Sequence, residues 1–113
     1  MAGTLYDTFL VQGAVINGGT TTHTAIRALE VYDATVFATA ANGGGTVKVT
    51  SSTGDITDTI ACATDAAIDR ADTIDGTKKL VVAGTNLSFV GASAADGIAT
   101  AHCFVTGSGT PLA

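Results

Sequence analysis

Along most of the chain, apolar and polar residues alternate in period two. The strand formers Val, Ile, Thr and Phe gather in short runs set apart by clusters of Gly, Asn and Asp. Successive side chains of a β-strand point to opposite faces, so this alternation marks strands with one buried and one wet side. It predicts strands over Phe9–Val15, Ala25–Tyr32, Thr35–Ala40, Thr46–Ser51, Asp58–Ala63, Lys79–Ala83, Leu87–Val90 and Ile98–Thr106. The pattern is cleanest where Val47 and Val49 alternate with Thr46, Lys48 and Thr50.

The punctuation between the runs predicts hairpins. Ala41-Asn42-Gly43-Gly44-Gly45 joins Thr35–Ala40 to Thr46–Ser51, its glycines able to take the positive φ that a tight turn needs. Gly84-Thr85-Asn86 joins Lys79–Ala83 to Leu87–Val90, and Gly91–Gly97 leads into the last strand. One segment departs from the pattern: Thr64 or Asp65 can cap a short helical turn carrying Ala67, Ile68 and Ala71. The expected fold is therefore all-β, an antiparallel two-sheet β-sandwich of jelly-roll or immunoglobulin-like type, with at most one short helical turn near residues 65–71.

With 113 residues the chain has the length of one domain. We place the domain at residues 9–106, between an N-terminal arm, residues 1–8, and a C-terminal tail, residues 107–113. Hydrophobic residues make up 46% and charged residues 13%, far from the composition of a disordered chain. The surface must then be rich in Thr, Ser, Ala and Gly, which suits a subunit whose faces are partly covered by neighbours. A net charge of −5, with five scattered basic residues, argues against nucleic-acid and anionic-membrane partners. No basic segment followed by an apolar one opens the chain, and the uncharged stretches are too short and polar to span a bilayer, so the expected place of synthesis is the cytoplasm. Cys62 and Cys103 lie in predicted strands without metal-ligand spacing and read as buried core thiols; a disulfide between them is left open.

Candidate chemistry is sparse. His23 and His102 are the two imidazoles, and neither sits in a nucleophile motif; His102, between Ala101 and Cys103, reads as a structural histidine. Asp65, Asp69, Asp72 and Asp75 lack the spacing of a calcium loop, and Arg70 among them offers an ion-pair partner. Gly43-Gly44-Gly45 is followed by no Lys-Ser/Thr and reads as a turn rather than a phosphate loop. Without Trp, and with Phe9, Phe37, Phe89 and Phe104 assigned to the core, few rings remain for sugar stacking beyond Tyr6 and Tyr32. We expect no catalytic residues, no cofactor and no metal.

The segments Thr57–Asp75, Leu80–Val90 and Ala99–Thr106, Ala/Thr/Gly-rich and ending in an apolar strand, resemble small bacteriophage virion proteins of the head-decoration or capsid-cement type. The resemblance implies a β-sandwich that assembles, commonly as a homotrimer, on the outside of an icosahedral head and bridges neighbouring major capsid proteins. It implies no catalytic residue. Binding would draw on apolar burial and on arms added to a neighbour's sheet edge, with Leu5, Tyr6, Phe9, Pro111 and Leu112 as candidate subunit contacts. Another virion role (tail tube, head fibre or head closure) and a carbohydrate-binding module are the alternatives.

Overall fold

The computed structural model describes residues 8–106. Within them the chain forms ten strands and no helix. These are β1 (Thr8–Val15), β2 (Thr20–Thr24), β3 (Leu29–Ala38), β4 (Thr46–Ser51), β5 (Gly54–Asp55), β6 (Ile60–Ala61), β7 (Ile68–Arg70), β8 (Leu80–Val81), β9 (Asn86–Ala92) and β10 (Gly97–Val105).

The strands build two antiparallel sheets packed face to face. Sheet A runs β1-β10-β3, with β7 and β8 end to end along the far edge of β3. Sheet B runs β2-β9-β4, with β5 and β6 along the far edge of β4. The first half of the chain thus pairs with the second: β1 with β10, β2 with β9, β3 with β7 and β8, β4 with β5 and β6. A ribbon folded in this way across two sheets is a jelly roll, which decides between the two sandwiches the sequence allows.

Residues from both inner faces close the core. Val31, Val36, Ala99, Ala101 and Cys103 of sheet A meet Val47, Val49, Leu87 and Phe89 of sheet B, all buried. The small residues have a reason: a Cβ at Gly13 would come within 2.8 Å of the Phe89 ring. Sheet A is thinned there to seat the largest fully buried side chain.

Several sequence expectations need correction. The two predicted hairpins do not form: β3 and β4 belong to different sheets, as do β8 and β9. Their glycine-containing links cross the sandwich. At the first crossing Asn42 secures the corner, its Oδ1 accepting from the Gly45 amide (2.6 Å) and its Nδ2 donating to the Cys62 carbonyl (3.0 Å). Residues 64–70 do not make a helical turn. The Ala67 amide donates to the Thr64 carbonyl, Ala66 adopts a positive φ of 64°, and the chain runs extended into β7, held by Ala38 N–H donating to Ala67 O. Pairing with β3 outweighs the weak local helical preference.

The predicted strands Ala25–Tyr32 and Thr35–Ala40 are one strand, β3, interrupted by a β-bulge. Cys103 pairs with Val31 but His102 with Asp33, so Tyr32 is the extra residue. The bulge switches the inward positions from Leu29 and Val31 to Ala34, Val36 and Ala38, and turns both Tyr32 and Asp33 outward. β2 was not predicted at all. Of the four phenylalanines assigned to the core, Phe89 lies fully within it; Phe9 packs against its edge, and Phe37 and Phe104 lie on the outer face of sheet A.

Candidate functional site

The two outer faces of the sandwich differ in kind. On sheet B the outward positions are mostly hydroxyls and charges, with Val90 between Thr20 and Lys48, and Ala61 and Ala92 beside Thr46. Ser88 stands between Thr22 and Thr50, Thr24 beside Asn86, and Lys48 pairs with Asp55 at 3.1 Å. Thr22, Thr24 and Lys48 thus find hydrogen-bond partners within the face itself.

On sheet A the register lines up a row of apolar side chains across four strands: Ala14 opposite Ile98, Ile98 opposite Phe37, and Phe37 opposite Ile68. Ile68 is 70% exposed, and Ile98 and Phe37 are exposed as well. Further along the same strands β1 and β3, on the same face, lie Leu10, 57% exposed, and Tyr32, 46% exposed. Tyr32 stacks on Phe104 with ring centroids 5.9 Å apart and meets His102 edge-on at 6.1 Å. Exposed apolar positions that adjoin in neighbouring strands are unusual on a water-facing sheet.

Polar groups sit between these apolar areas. Gln12 Nε2 donates to Thr100 Oγ1 at 3.2 Å, and Arg70 reaches Asp33 with Nη2 at 2.7 Å and Nε at 3.1 Å. Burial alone would push the Asp33 carboxyl up. The Arg70 hydrogen bond, the Ala34 amide and the Arg70 charge together hold it below its ordinary value. The partner of Arg70 is therefore Asp33, across the sheet, rather than the neighbouring acids that the sequence suggested.

A second feature lies at the end of the sandwich where β1 begins and β10 stops. There an apolar groove of about 430 Å³ opens between the sheets, lined by Phe9, Val11, Leu29 and Val105 of sheet A, by Leu87 and His23 of sheet B, and by the link 24–27. The His23 ring packs edge-on to Phe89 at 6.0 Å, and its buried Nε2 finds no partner among the described residues. The groove can take an apolar group bearing one hydrogen-bonding atom. Phe9, a sequence-predicted contact, lines this groove. The other predicted contacts, Leu5, Tyr6, Pro111 and Leu112, lie outside the described residues.

The remaining candidates are accounted for locally. Asp75 Oδ1 accepts from the amide and hydroxyl of Thr77, each at 2.8 Å, and Asp58 Oδ1 accepts from the amides of Asp72 and Thr73. No group of three or more His, Cys, Asp or Glu side chains suited to a metal ion forms among the described residues. Cys62 and Cys103 are free and buried. Burial pushes both thiols up, Cys103 to about 12, and Asp96 and Asp69 add to the effect at Cys62. His102 Nε2 lies 3.4 Å from Thr35 Oγ1 on the outer face.

Sequence reasoning missed Ile98, Phe37, Ile68 and Leu10 as surface residues. The signal available was that Phe9-Leu10-Val11 and Val36-Phe37 place apolar side chains on both parities of one strand, which an ordinary half-wet strand does not do. Compared with protein-family models and with curated proteins, the chain matches none.

Proposed function

We propose that this chain is a non-catalytic structural subunit of a bacteriophage virion, a decoration or cement protein that sits on the outside of the head. Its outer face of sheet A would lie against the major capsid protein and the hydroxyl-rich face of sheet B toward water. The observation that carries the reading is the apolar row Ala14–Ile98–Phe37–Ile68 on one face, set against Thr22, Ser88 and Thr50 on the other. Covering the exposed parts of Ile98, Phe37 and Ile68 is worth on the order of 1–2 kcal/mol each before the costs of association. The polar groups between them supply register, as in the mixed surfaces of protein interfaces. Single contacts of this strength become lasting when repeated across a lattice of subunits.

The test uses phage heads assembled from a major capsid protein in the absence of this chain. The purified protein should co-sediment with them. Ile68→Asp and Ile98→Asp should abolish binding while leaving circular dichroism and unfolding unchanged, and Thr22→Asp on the opposite face should bind normally. Failure of the unmodified protein to bind, or full binding by both sheet A variants, overturns the proposal. A carbohydrate-binding reading has one observation in its favour, the exposed Tyr32 ring stacked on Phe104 beside Asp33 and Arg70. Glycan-array binding lost in Tyr32→Ala would support that reading instead.

A further inference from the structure

Sheet edges carry unpaired backbone donors and acceptors, and proteins blunt them with short strands, charges, prolines or bulges. Two of the four edges here are treated in this way. Along β3 the edge is broken into β7 and β8, with Val31 N–H donating to Lys79 O and Ala71 N–H to Ala34 O in the gap between them. Along β4 it is broken into β5 and β6, with Ile56 N–H donating to Val49 O. On the opposite side of the sandwich, the β2 edge is five residues long and composed of Thr and His.

β1 is different. It is eight residues long, pairs with β10 without a register shift, and contains no charged residue and no proline. Among the described residues its other edge is engaged only at one end, where the Thr21 hydroxyl donates to Ala14 O. From Thr8 to Gly13 that edge has no backbone partner among the described residues.

We infer that β1 is a docking edge for β1 of a second copy. The two strands pair antiparallel about a two-fold axis through Val11, joining two copies of sheet A into one continuous sheet. A partner strand must keep its inward and outward residues in step with Phe9 and Val11 inside and Leu10 and Gln12 outside. A second copy of β1 does so in every register that pairs odd with odd positions. Because the Thr21 hydroxyl occupies Ala14 O, the free stretch is Thr8–Gly13, and of the two odd-with-odd registers that fit inside it, centred on Leu10 or on Val11, the one about Val11 sets Phe9 opposite Gly13. In that register Phe9 faces Gly13, Leu10 faces Gln12 and Val11 faces its own copy, so the bulkiest inward residue opposes the smallest and no like charges meet. The arrangement is isologous and closes as a dimer. It stands whether or not the chain is a virion protein, and it differs from the three-fold assembly that the resemblance implies.

Light scattering on the full chain should give twice the protomer mass at high micromolar concentration. Leu10→Lys, which places charges on the exposed face of both paired strands, should shift the mass to one protomer with an unchanged circular dichroism spectrum and unfolding midpoint. Register is read by mixing Leu10→Cys copies with Gln12→Cys copies under mild oxidation, the native thiols being buried. Disulfides between unlike copies should dominate over Leu10→Cys homodimers. A monomeric full chain, including one that dimerises only after removal of residues 1–7, overturns the proposal. So does a trimer or dimer that Leu10→Lys leaves intact, or cross-linking without preference for unlike copies.

Discussion

Tyr32 is the residue on which the outer face of sheet A turns. As the extra residue of a bulge it faces outward together with Asp33, which brings an aromatic ring onto Phe104 and a carboxylate within reach of Arg70. Folding lowers the Asp33 pKa, so its stabilising contribution is fully present above the unfolded value and is lost as pH falls through the folded one. Stability measured by urea unfolding should therefore decline as pH drops below about 4, the ordinary range of an aspartate. Asp33→Asn should be less stable at neutral pH and should lose less over the same acidic interval; an identical acid profile for both proteins would contradict this role. The thiols offer a second measurement at this scale. With Cys103 pushed to about 12 and Cys62 raised by burial, neither forms appreciable thiolate at neutral pH. An aromatic disulfide reagent should leave both unmodified in the native protein and label both in denaturant. That these cysteines are core thiols was legible from their apolar strand context. That Phe37 and Phe104 point outward was missed, because period-two reading assigns a face only relative to its neighbours: in β10 the buried Ala101 and Cys103 set Phe104 on the other face, and in β3 a bulge at Tyr32 reverses the parity without a marker in composition.

Among the elements, β4 shows what alternation can deliver: Val47 and Val49 between Thr and Lys define Thr46–Ser51 without error. β2 shows where it fails. Thr-Thr-Thr-His-Thr contains no apolar residue to alternate, and its strand exists because β9 pairs with it. The same limit explains the false hairpins. A Gly-rich link permits a reversal within one sheet and a crossing between two equally well, and the choice is made by which strands lie alongside, a long-range matter. Glycines in the links also differ in kind. At Gly97 a Cβ would meet Cys62 Sγ and the Phe37 carbonyl, each at 2.7 Å, whereas at Gly43 it would meet nothing within 4 Å. Gly97→Ala should lower stability by about 1–3 kcal/mol through overpacking, and Gly43→Ala should change it by less than about 0.5 kcal/mol. Urea midpoints with unchanged slopes would confirm the contrast, and equal midpoints would refute it.

For the molecule as a whole, the sandwich class was legible because eight short runs between turn signals admit few other folds, while strand order was hidden in pairings between distant segments. The surface followed the same division. Nothing in composition separates the apolar outer face of sheet A from the hydroxyl face of sheet B; only the register of β1, β10, β3 and β7 gathers Ala14, Ile98, Phe37 and Ile68 into a row. The same register sets an order of events during synthesis. β10 fills the middle of sheet A, between β1 and β3, yet it is the last strand of the domain to leave the ribosome. At translation rates of ~5–20 residues per second, β1 waits roughly 5–20 s for its neighbour. Until residues 97–105 emerge, sheet A is two separated pieces with a gap one strand wide and apolar side chains on both banks. Completion of sheet A consequently waits on residues 97–105, and any polypeptide stalled before β10 presents two open strands to whatever protein it meets first.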